Sequence, residues 1–340
     1  MAVNEEPNTT MPNFDFTKLM QPVEDRSVLR DENWYVWGGG IVRTADGTCH
    51  YLFARWPRER GFNAWVTHSE IAYATSSDPL GPWKIRGTVL GHRPGAWDAN
   101  SLYNPTIHEF EGKYYLYYTG NYGCGEYWDN RNHQRVGIAV ADHPAGPYER
   151  FDRPLLDVTK GAHDHLMTGC PTVARRPDGK YLLIYKGVSE GPMPFGGEVR
   201  MSVATADHPA GPFTKHPVTV FATPDAKFPS DDNFIWWQDD RFYAVVKDQG
   251  GFFADHGEGK TLVLFESHDG FEWRLSEHSL VSHFHLRWED GTVTRDLTRL
   301  DQPQIWLEDG KPAVLFLSVK KRPDGIDDDL SYCVQVPLRG

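Results

Sequence analysis

The sequence repeats one short pattern five times. In each copy, turn-forming residues precede an apolar run that is rich in β-branched and aromatic residues, which predicts a turn followed by a strand. The starts of the copies lie 65, 67, 61 and 70 residues apart, so five units fill the 340-residue chain. A period of this size indicates a repeat architecture. The copies read DGTCHYLFA (46–54), EGKYYLYYTG (111–120), DGKYLLIYKG (178–187), DDRFYAVVKD (239–248) and DGKPAVLFLS (309–318).

Each unit contains more than one hairpin. A strand-like segment precedes every turn, as in LYNPTIHEF (102–110), and another strand follows, ending in a Gly-containing turn, as in VGIAVADHPAGPY (136–148). Four antiparallel strands per unit describe a propeller blade. We therefore predict an all-β fold, a five-bladed β-propeller with four antiparallel strands per blade. A tandem β-sandwich is the alternative, but its repeats would be nearer 100 residues.

The fifth unit ends in SYCVQVP (331–337) without a fourth strand. Residues near the N-terminus are expected to supply that strand and close the ring, because an open sheet edge is a liability. The predicted organisation is an N-terminal extension (1–33) and a single propeller domain (34–340).

Charge and composition restrict the partners. The formal net charge of −12 disfavours nucleic acid, and no run of about 18 apolar residues predicts a membrane span. The N-terminal residues lack a signal-peptide pattern, which leaves a cytoplasmic protein and a secreted or periplasmic one with its signal removed both open. The four cysteines show no CxxC spacing, so free thiols are favoured over disulfides and a zinc knuckle is disfavoured.

The chemistry is expected at one mouth of the central channel. The innermost strand of each blade lines this channel, so polar side chains at the five strand starts should converge. The glycines at 38–40 offer no side chain, and an open floor is expected there. The candidate side chains are Trp37, Arg55, His68, Glu70, Asp98, Asn104, Asp164, Lys186, Asp231, Asp232, Lys247, Asp248, Asp301 and Gln302.

Several motifs resemble the five-bladed propeller glycoside hydrolases, the broad group of families 43, 62, 32, 68 and 117. The motifs are NPTIHEFEGKYYLYYTG, THSEIAYATSSDPLGPW, DGKYLLIYKG and the repeated ADHPAGP[YF], within a resemblance that covers residues 34–337. Within the group the arrangement is most similar to family 117, which acts in exo fashion on algal oligosaccharides, and to family-43-like proteins. The resemblance implies hydrolysis of a glycosidic bond.

The resemblance also suggests site residues. The family's first inner strand carries an aspartate, usually before proline, but its place here falls near Trp37–Gly39 and holds no carboxylate. Glu70 matches an acidic residue of the family, and Asp231–Asp232 match a His-Glu pair in the fourth blade of family 117. The departures put the mechanism in doubt and keep loss of activity open.

Glycoside cleavage needs one group that protonates the leaving oxygen and another that activates water or attacks carbon. Carboxylates suit both tasks because burial and charged neighbours separate their pKa values. We predict Glu70 and Asp232 as the main catalytic carboxylates, Asp301 as the third, and Asp231 or His68 as the acid. Substrate-binding roles are predicted for Trp37, Arg55, Asp98, Asn104, Asp164, Lys186, Lys247, Asp248 and Gln302.

The sequence thus predicts an exo-acting glycoside hydrolase that removes a terminal sugar from a plant or algal oligosaccharide or polysaccharide. No cofactor and no catalytic metal are expected, although a structural cation in the channel stays open, as does a homodimer. Two alternatives remain: a catalytically degenerate carbohydrate-binding propeller, which the missing first-blade aspartate favours, and a glycoside phosphorylase, which would need a basic phosphate pocket.

Overall fold

Five four-stranded antiparallel sheets form a five-bladed β-propeller. The computed structural model describes residues 14–257, 259–321 and 331–339. The short helices are α1 (Phe16–Leu19), α2 (Trp65–His68) and α3 (Tyr127–Asn132). The strands are β1 (Val28–Leu29), β2 (Trp34–Arg43), β3 (Cys49–Pro57), β4 (Glu70–Ser76), β5 (Lys84–Leu90), β6 (Ser101–Phe110), β7 (Lys113–Asn121), β8 (Arg135–Ala141), β9 (Glu149–Arg150), β10 (Met167–Arg175), β11 (Tyr181–Val188), β12 (Val199–Ala206), β13 (Thr214–Val220), β14 (Ser230–Gln238), β15 (Arg241–Asp248), β16 (Thr261–Ser267), β17 (Arg274–His283), β18 (Leu286–Arg287), β19 (Val293–Thr294), β20 (Arg299–Glu308), β21 (Lys311–Lys320) and β22 (Ser331–Pro337).

The blades follow the chain. Blades 1 to 4 are β2–β5, β6–β9, β10–β13 and β14–β17, each with its strands in sequence order, and β18 and β19 form a separate hairpin. Blade 5 contains β20, β21, β22 and β1. The predicted fold of five blades with four strands each is confirmed.

Strand β1 supplies the fourth strand of blade 5. Val28 pairs with Val334 and Leu29 with Cys333 in antiparallel register. Leu29 is buried in an apolar cluster that also contains Val36 of blade 1. The first and last blades therefore share one core, and the edge of β22 is paired. Residues 1–13 of the expected N-terminal extension lie outside the described residues.

Apolar side chains fill the spaces between neighbouring blades. One cluster joins Leu52 of blade 1 to Ile107 and Leu116 of blade 2, and each of these residues is almost fully buried. The alternation of a strand directs every second side chain to one face, so each sheet presents apolar residues to both neighbours. All four cysteines are free thiols, with Cys124 exposed and the other three buried. Among the described residues, no helix has the length and apolar character needed to cross a membrane.

The inner strand of every blade contains a β-bulge at the same place. One residue of each bulge has a positive φ of 38–53°, a conformation tolerated by Gly and Asn and uncommon for other residues. Bulges re-aim side chains at the ends of sheets and beside functional sites. We call these five residues the bulge ring: Gly38, Asn104, Cys170, Asp232 and Gln302.

A buried carboxylate ties together the strands of blade 2. Asp98 lies six residues before Asn104 in the chain and is fully buried. Its carboxylate accepts a hydrogen bond from the Tyr118 hydroxyl on β7 (2.8 Å) and pairs with Arg93 (2.9 Å) and with Arg150 of β9 (3.3 Å). Asp98 thus links the second strand of the blade to the outermost one.

Asp164 has the equivalent place in blade 3, six residues before Cys170. It accepts a hydrogen bond from the Tyr185 hydroxyl on β11 (3.0 Å) and pairs with Lys215 of β13. A Cβ at Gly187 would lie 2.8 Å from the Cβ of Asp164, so glycine makes room for the carboxylate. Asp98 and Asp164 therefore have structural contacts inside their blades, and their substrate contact stays a prediction.

Leu29→Ala should lower the free energy of unfolding by about 2–4 kcal/mol, because it leaves a cavity at the blade 5–blade 1 junction. Chemical denaturation followed by tryptophan fluorescence measures the change. Lys84→Ala, an exposed position at the edge of blade 1, is the control and should change stability by less than about 0.5 kcal/mol. Equal stability of Leu29→Ala and the native protein would contradict the closure described here.

Asp98→Asn should lower stability by about 2–3 kcal/mol, because Arg93 and Arg150 lose their buried anion. The matched control is Asp152→Asn, whose exposed carboxylate lies 4.0 Å from Arg93 and contributes little. If Asp98→Asn unfolds like the control, the carboxylate does not hold the blade together.

Candidate active site

The bulge ring lies near the starts of the inner strands, at one end of the propeller. Because the strands are antiparallel, the loops between the second and third strands of the blades lie at the same end. We call this end the mouth. The mouth loops of blades 1 to 4 are residues 58–69, 122–134, 189–198 and 249–260, of which residue 258 lies outside the description, and most of the fifth, 321–330, also lies outside it.

Three aspartates gather at the mouth side of blades 4 and 5. Asp232 is a bulge-ring residue, and Asp231 and Asp301 directly precede the ring positions of their blades. The side-chain amide of Gln302 donates a hydrogen bond to Asp232. The bulge between Asp231 and Asn233 brings two consecutive carboxylates into one cluster, although side chains of adjacent residues in a regular strand point to opposite faces.

Two lysines, one from blade 3 and one from blade 4, pair with aspartates of this cluster. Lys186 of β11 lies 2.8 Å from Asp231, and Lys247 of β15 lies 2.5 Å from Asp301. Both lysines have the same place in their blades, opposite the residue that precedes the ring position (Gly169 and Asp231). Each therefore bridges from its own blade to the next.

The second-strand position that holds these lysines also makes inter-blade contacts in blades 2 and 5. In blade 2 it is Thr119, whose hydroxyl accepts a hydrogen bond from the backbone N–H of Cys170 (2.9 Å). In blade 5 it is Ser318, whose hydroxyl accepts one from the N–H of Gly38 (2.5 Å). Lysine instead of a hydroxyl in blades 3 and 4 is what allows carboxylates to stand in the facing positions of blades 4 and 5.

The environment separates the pKa values of the aspartates. Burial, together with the charges of Asp231 and Asp301, raises the pKa of Asp232 to about 7. Burial also opposes ionisation of Asp231, but Lys186 and Lys247 overcome it and lower the pKa of that carboxyl. A protonated carboxyl and an ionised carboxylate thus stand side by side near neutral pH, the arrangement that acid–base catalysis requires.

The bulge ring and the side chains directly beside it form the base of the mouth, which we call the floor. Little of the floor is exposed. Asn104, Lys186 and Asp231 are half-buried, whereas Asp232 is 6% exposed. The Asn104 amide donates to the Cys170 sulfur (2.9 Å), and burial raises the pKa of that thiol to about 12. Cys170 therefore stays protonated and is a poor nucleophile.

The cluster of Cys170, Asp231 and Asp232 has ligand atoms within 4.8 Å of one another, which raises the question of a cation. Lys186 already supplies a positive charge to Asp231, and a metal would require the Cys170 thiol to lose its proton. The donor set does not fit a metal ion.

Glu70 lies in a separate ion pair. It accepts hydrogen bonds from Arg55 of β3 (2.9 Å) and from Thr88 of β5 (2.7 Å), and Arg55 also lies over the Trp34 ring (4.3 Å). These contacts join Glu70 to the second and fourth strands of blade 1. His68, at the end of α2, bonds to Thr67 (2.8 Å). The contacts give no support to the expected pairing of Glu70 with Asp232 across one glycosidic bond.

Two further predicted substrate-binding residues have structural contacts. The Asp248 carboxylate is fully buried and accepts hydrogen bonds from the backbone N–H groups of Gly250, Phe252 and Phe253 (2.9–3.1 Å), so it shapes its mouth loop. Trp37 is buried in an aromatic cluster with Trp56 and Phe62.

The floor beneath the first blade is not open, contrary to the expectation from the glycines. A Cβ at Gly38 would meet Gln302 at 3.0 Å, so the glutamine of blade 5 fills the space left by the missing side chain. Of the fourteen predicted site residues, those that contact one another at the bulge ring or directly beside it are Asn104, Lys186, Asp231, Asp232, Lys247, Asp301 and Gln302; Asn104 joins through Cys170.

The mouth also has an aromatic wall whose residues are not among the fourteen predicted site residues. Its members include Trp65, Trp128, Arg131 and Phe195. Trp65 packs edge-on against Tyr127 (5.9 Å), and Trp128 packs edge-on against Phe195 (4.8 Å). The available signal was their position in loops between second and third strands.

Comparison with known proteins agrees with this description. The model of Glycosyl hydrolases family 43 matches residues 64–156, which include α2 and blade 2. No curated protein matches.

Solved structures share the fold at low sequence identity. A family 117 glycoside hydrolase of the marine bacterium Zobellia galactanivorans is 18% identical, with a TM-score of 0.65 over 93% of this chain and 89% of that one. An endo-arabinase from Bacteroides thetaiotaomicron is 15% identical, with a TM-score of 0.60 over 95% and 98%. A Bacillus subtilis arabinanase is 14% identical, with a TM-score of 0.60 over 92% and 97%. The chain is a five-bladed β-propeller similar to the glycoside hydrolases of families 43 and 117.

Proposed function

We propose that the protein is an exo-acting glycoside hydrolase in which Asp232 donates the proton and Asp231 is the ionised partner. The observation that carries this proposal is the pair of adjacent carboxyls with separated pKa values at the floor of the mouth. The similarity to glycoside hydrolase propellers supports the reaction class.

In the first step Asp232 gives its proton to the glycosidic oxygen while the bond from that oxygen to the anomeric carbon breaks. Oxygens of Asp231 and Asp232 lie within 4.8 Å of each other, which leaves little room for an intervening water. Short separations favour direct attack by a carboxylate, so Asp231 forms a bond to the anomeric carbon. Water then attacks that carbon and gives a proton to Asp232 while the bond from the carbon to Asp231 breaks, which releases the sugar and frees the Asp231 carboxylate; two displacements retain the configuration.

Removal of a terminal sugar, as opposed to cleavage within a chain, is supported by burial. Asp232 and Asp301 are almost completely enclosed, and only Asp231 is half-buried. A chain end can reach such a floor more easily than the middle of a polysaccharide can.

One observation favours a second candidate, a carbohydrate-binding propeller without turnover. Gly38 and Gln302 occupy the first-blade region where the similar enzymes are expected to carry an aspartate. Phosphorolysis has less support, because Lys186 and Lys247 are already paired with aspartates.

Asp232→Asn and Asp231→Asn should each reduce kcat by roughly 10²–10⁴-fold, as expected for loss of a catalytic acid or its partner. Turnover is measured on the best substrate from a panel of nitrophenyl glycosides and oligosaccharides. Asp207→Asn, an exposed carboxylate, is the matched control. Glu70→Gln separates the two assignments: a dead Glu70→Gln enzyme beside an active Asp232→Asn enzyme would restore Glu70 as the catalytic carboxylate.

The rate should fall as pH rises through about 7, because Asp232 must be protonated to act as the acid. On the acid side, the rate should be maintained at pH values below the ordinary pKa of an aspartate, because Lys186 and Lys247 keep Asp231 ionised there. A kcat–pH profile from pH 3 to 9 tests both limbs. A rate that is constant from pH 6 to 9 would exclude Asp232 as the acid.

A further inference from the structure

Three mouth loops form one continuous wall beside the floor. Trp65 from loop 58–69 packs edge-on against Tyr103 of the inner strand β6 (4.9 Å) and against Tyr127 of α3 (5.9 Å). Trp128 of α3 packs against Phe195 from loop 189–198 (4.8 Å), and Phe195 is 60% exposed. Partly exposed aromatic rings of this kind can pack against the apolar faces of sugars.

Arg131 is the cation in this wall. It is half-buried, its guanidinium lies 5.6 Å from the centroid of the Trp128 ring, and Nη1 donates hydrogen bonds to the Asn132 side chain (3.0 Å) and to the Phe195 carbonyl (3.3 Å). Both acceptors are neutral. Among the residues that the structure describes, no carboxylate lies within ion-pair distance of Arg131.

The hydrogen bonds of the guanidinium to the described part of the chain all use Nη1, so the edge formed by Nε and Nη2 has no acceptor there. This edge presents two parallel N–H groups, which match a carboxylate or a sulfate in a bidentate manner. Burial lowers the pKa of Arg131, and the nearby Tyr127, Tyr103 and Asp231 oppose this shift.

The charges of the floor do not use Arg131. Asp231 has Lys186 and Asp301 has Lys247 as close partners, so each of these aspartates is already paired with a lysine. Arg131 therefore adds a positive charge beside a balanced cluster. The net charge of −12 repels anions at long range, but salt screens this repulsion beyond about 10 Å at 0.1 M.

We propose that Arg131 binds an anionic group of the substrate, a uronate carboxylate or a sulfate ester, while sugar rings pack on the wall of Trp65 and Trp128. The substrate class is then an acidic oligosaccharide. The inference rests on the proposed function, because it assigns a substrate class to the same mouth.

The test measures binding apart from turnover. Asp232→Asn protein is applied to an array of oligosaccharides in matched neutral, uronate and sulfated forms, and the glycans that bind are titrated by calorimetry. The same titrations are made with Arg131→Gln, Arg131→Lys and the control Arg153→Gln, an exposed arginine, each in the Asp232→Asn background. Thermal unfolding verifies that every variant is folded.

We expect anionic glycans to bind in preference to their neutral forms. Arg131→Gln should weaken that binding about 10- to 100-fold, the loss expected for hydrogen bonds to a charged group. The affinity of Arg131→Lys should lie between those of the Asp232→Asn parent and Arg131→Gln, because lysine keeps the charge and loses the two parallel N–H groups. If Arg131→Gln does not fold, the affinity of Arg131→Lys decides the test. The uronate and sulfate arms identify which anion is bound.

Preference for neutral glycans, no binding of any anionic glycan, or unchanged binding by Arg131→Gln overturns the inference. Phosphate-stimulated turnover that depends on Arg131 also overturns it, because the arginine would then bind free phosphate. The proposed function is judged separately: Arg131-dependent binding without cleavage by the native protein rejects hydrolysis alone, and cleavage of neutral glycans that Arg131→Gln leaves unchanged rejects the acidic substrate alone.

Discussion

The bulge in each inner strand is the constraint on which the mouth depends. A regular strand would alternate its side chains between the two neighbouring blades, and Asp231 and Asp232 would point apart. The positive-φ residue changes that alternation once per blade, so five blades deliver five ring positions to one end of the channel. The cost in backbone conformation falls mainly on Cys170 and Gln302, since Gly, Asn and Asp adopt this region more readily. The surrounding sheet and the blade-to-blade contacts hold these residues in place.

The site also depends on how blades are joined. The second strand of a blade reaches the inner strand of the next through a hydroxyl in blades 2 and 5 and through a lysine in blades 3 and 4. The two lysines make it feasible to hold three carboxyls together, because Asp231 and Asp301 are each paired with a lysine and the pKa of Asp232 is raised to about 7. Removing either lysine would therefore disturb the protonation of Asp232 as well as the contact between the blades.

Much of the fold could be predicted from the sequence because the repeat is local. Each turn, alternating strand and Gly-Pro turn lies within one unit, and counting units gives the number of blades. The position of Asp231, Asp232 and Asp301 at strand starts also predicted that they meet. Other features depend on contacts between remote segments. Nothing near Glu70 indicates that Arg55 and Thr88 bind it within blade 1, and nothing near Asp98 reveals its contacts with Tyr118 and Arg150. The separation of pKa values likewise depends on distances between blades.

Gln302 limits which residues the first blade can hold at position 38. A carboxylate at position 38 would need a Cβ where the glutamine already lies, and the φ of +49° at that position adds strain for any side chain. An aspartate there would have to displace the Gln302 side chain, whose amide donates a hydrogen bond to Asp232. The two positions are thus coupled, because a first-blade acid at position 38 would disturb a contact of the blade 4 acid.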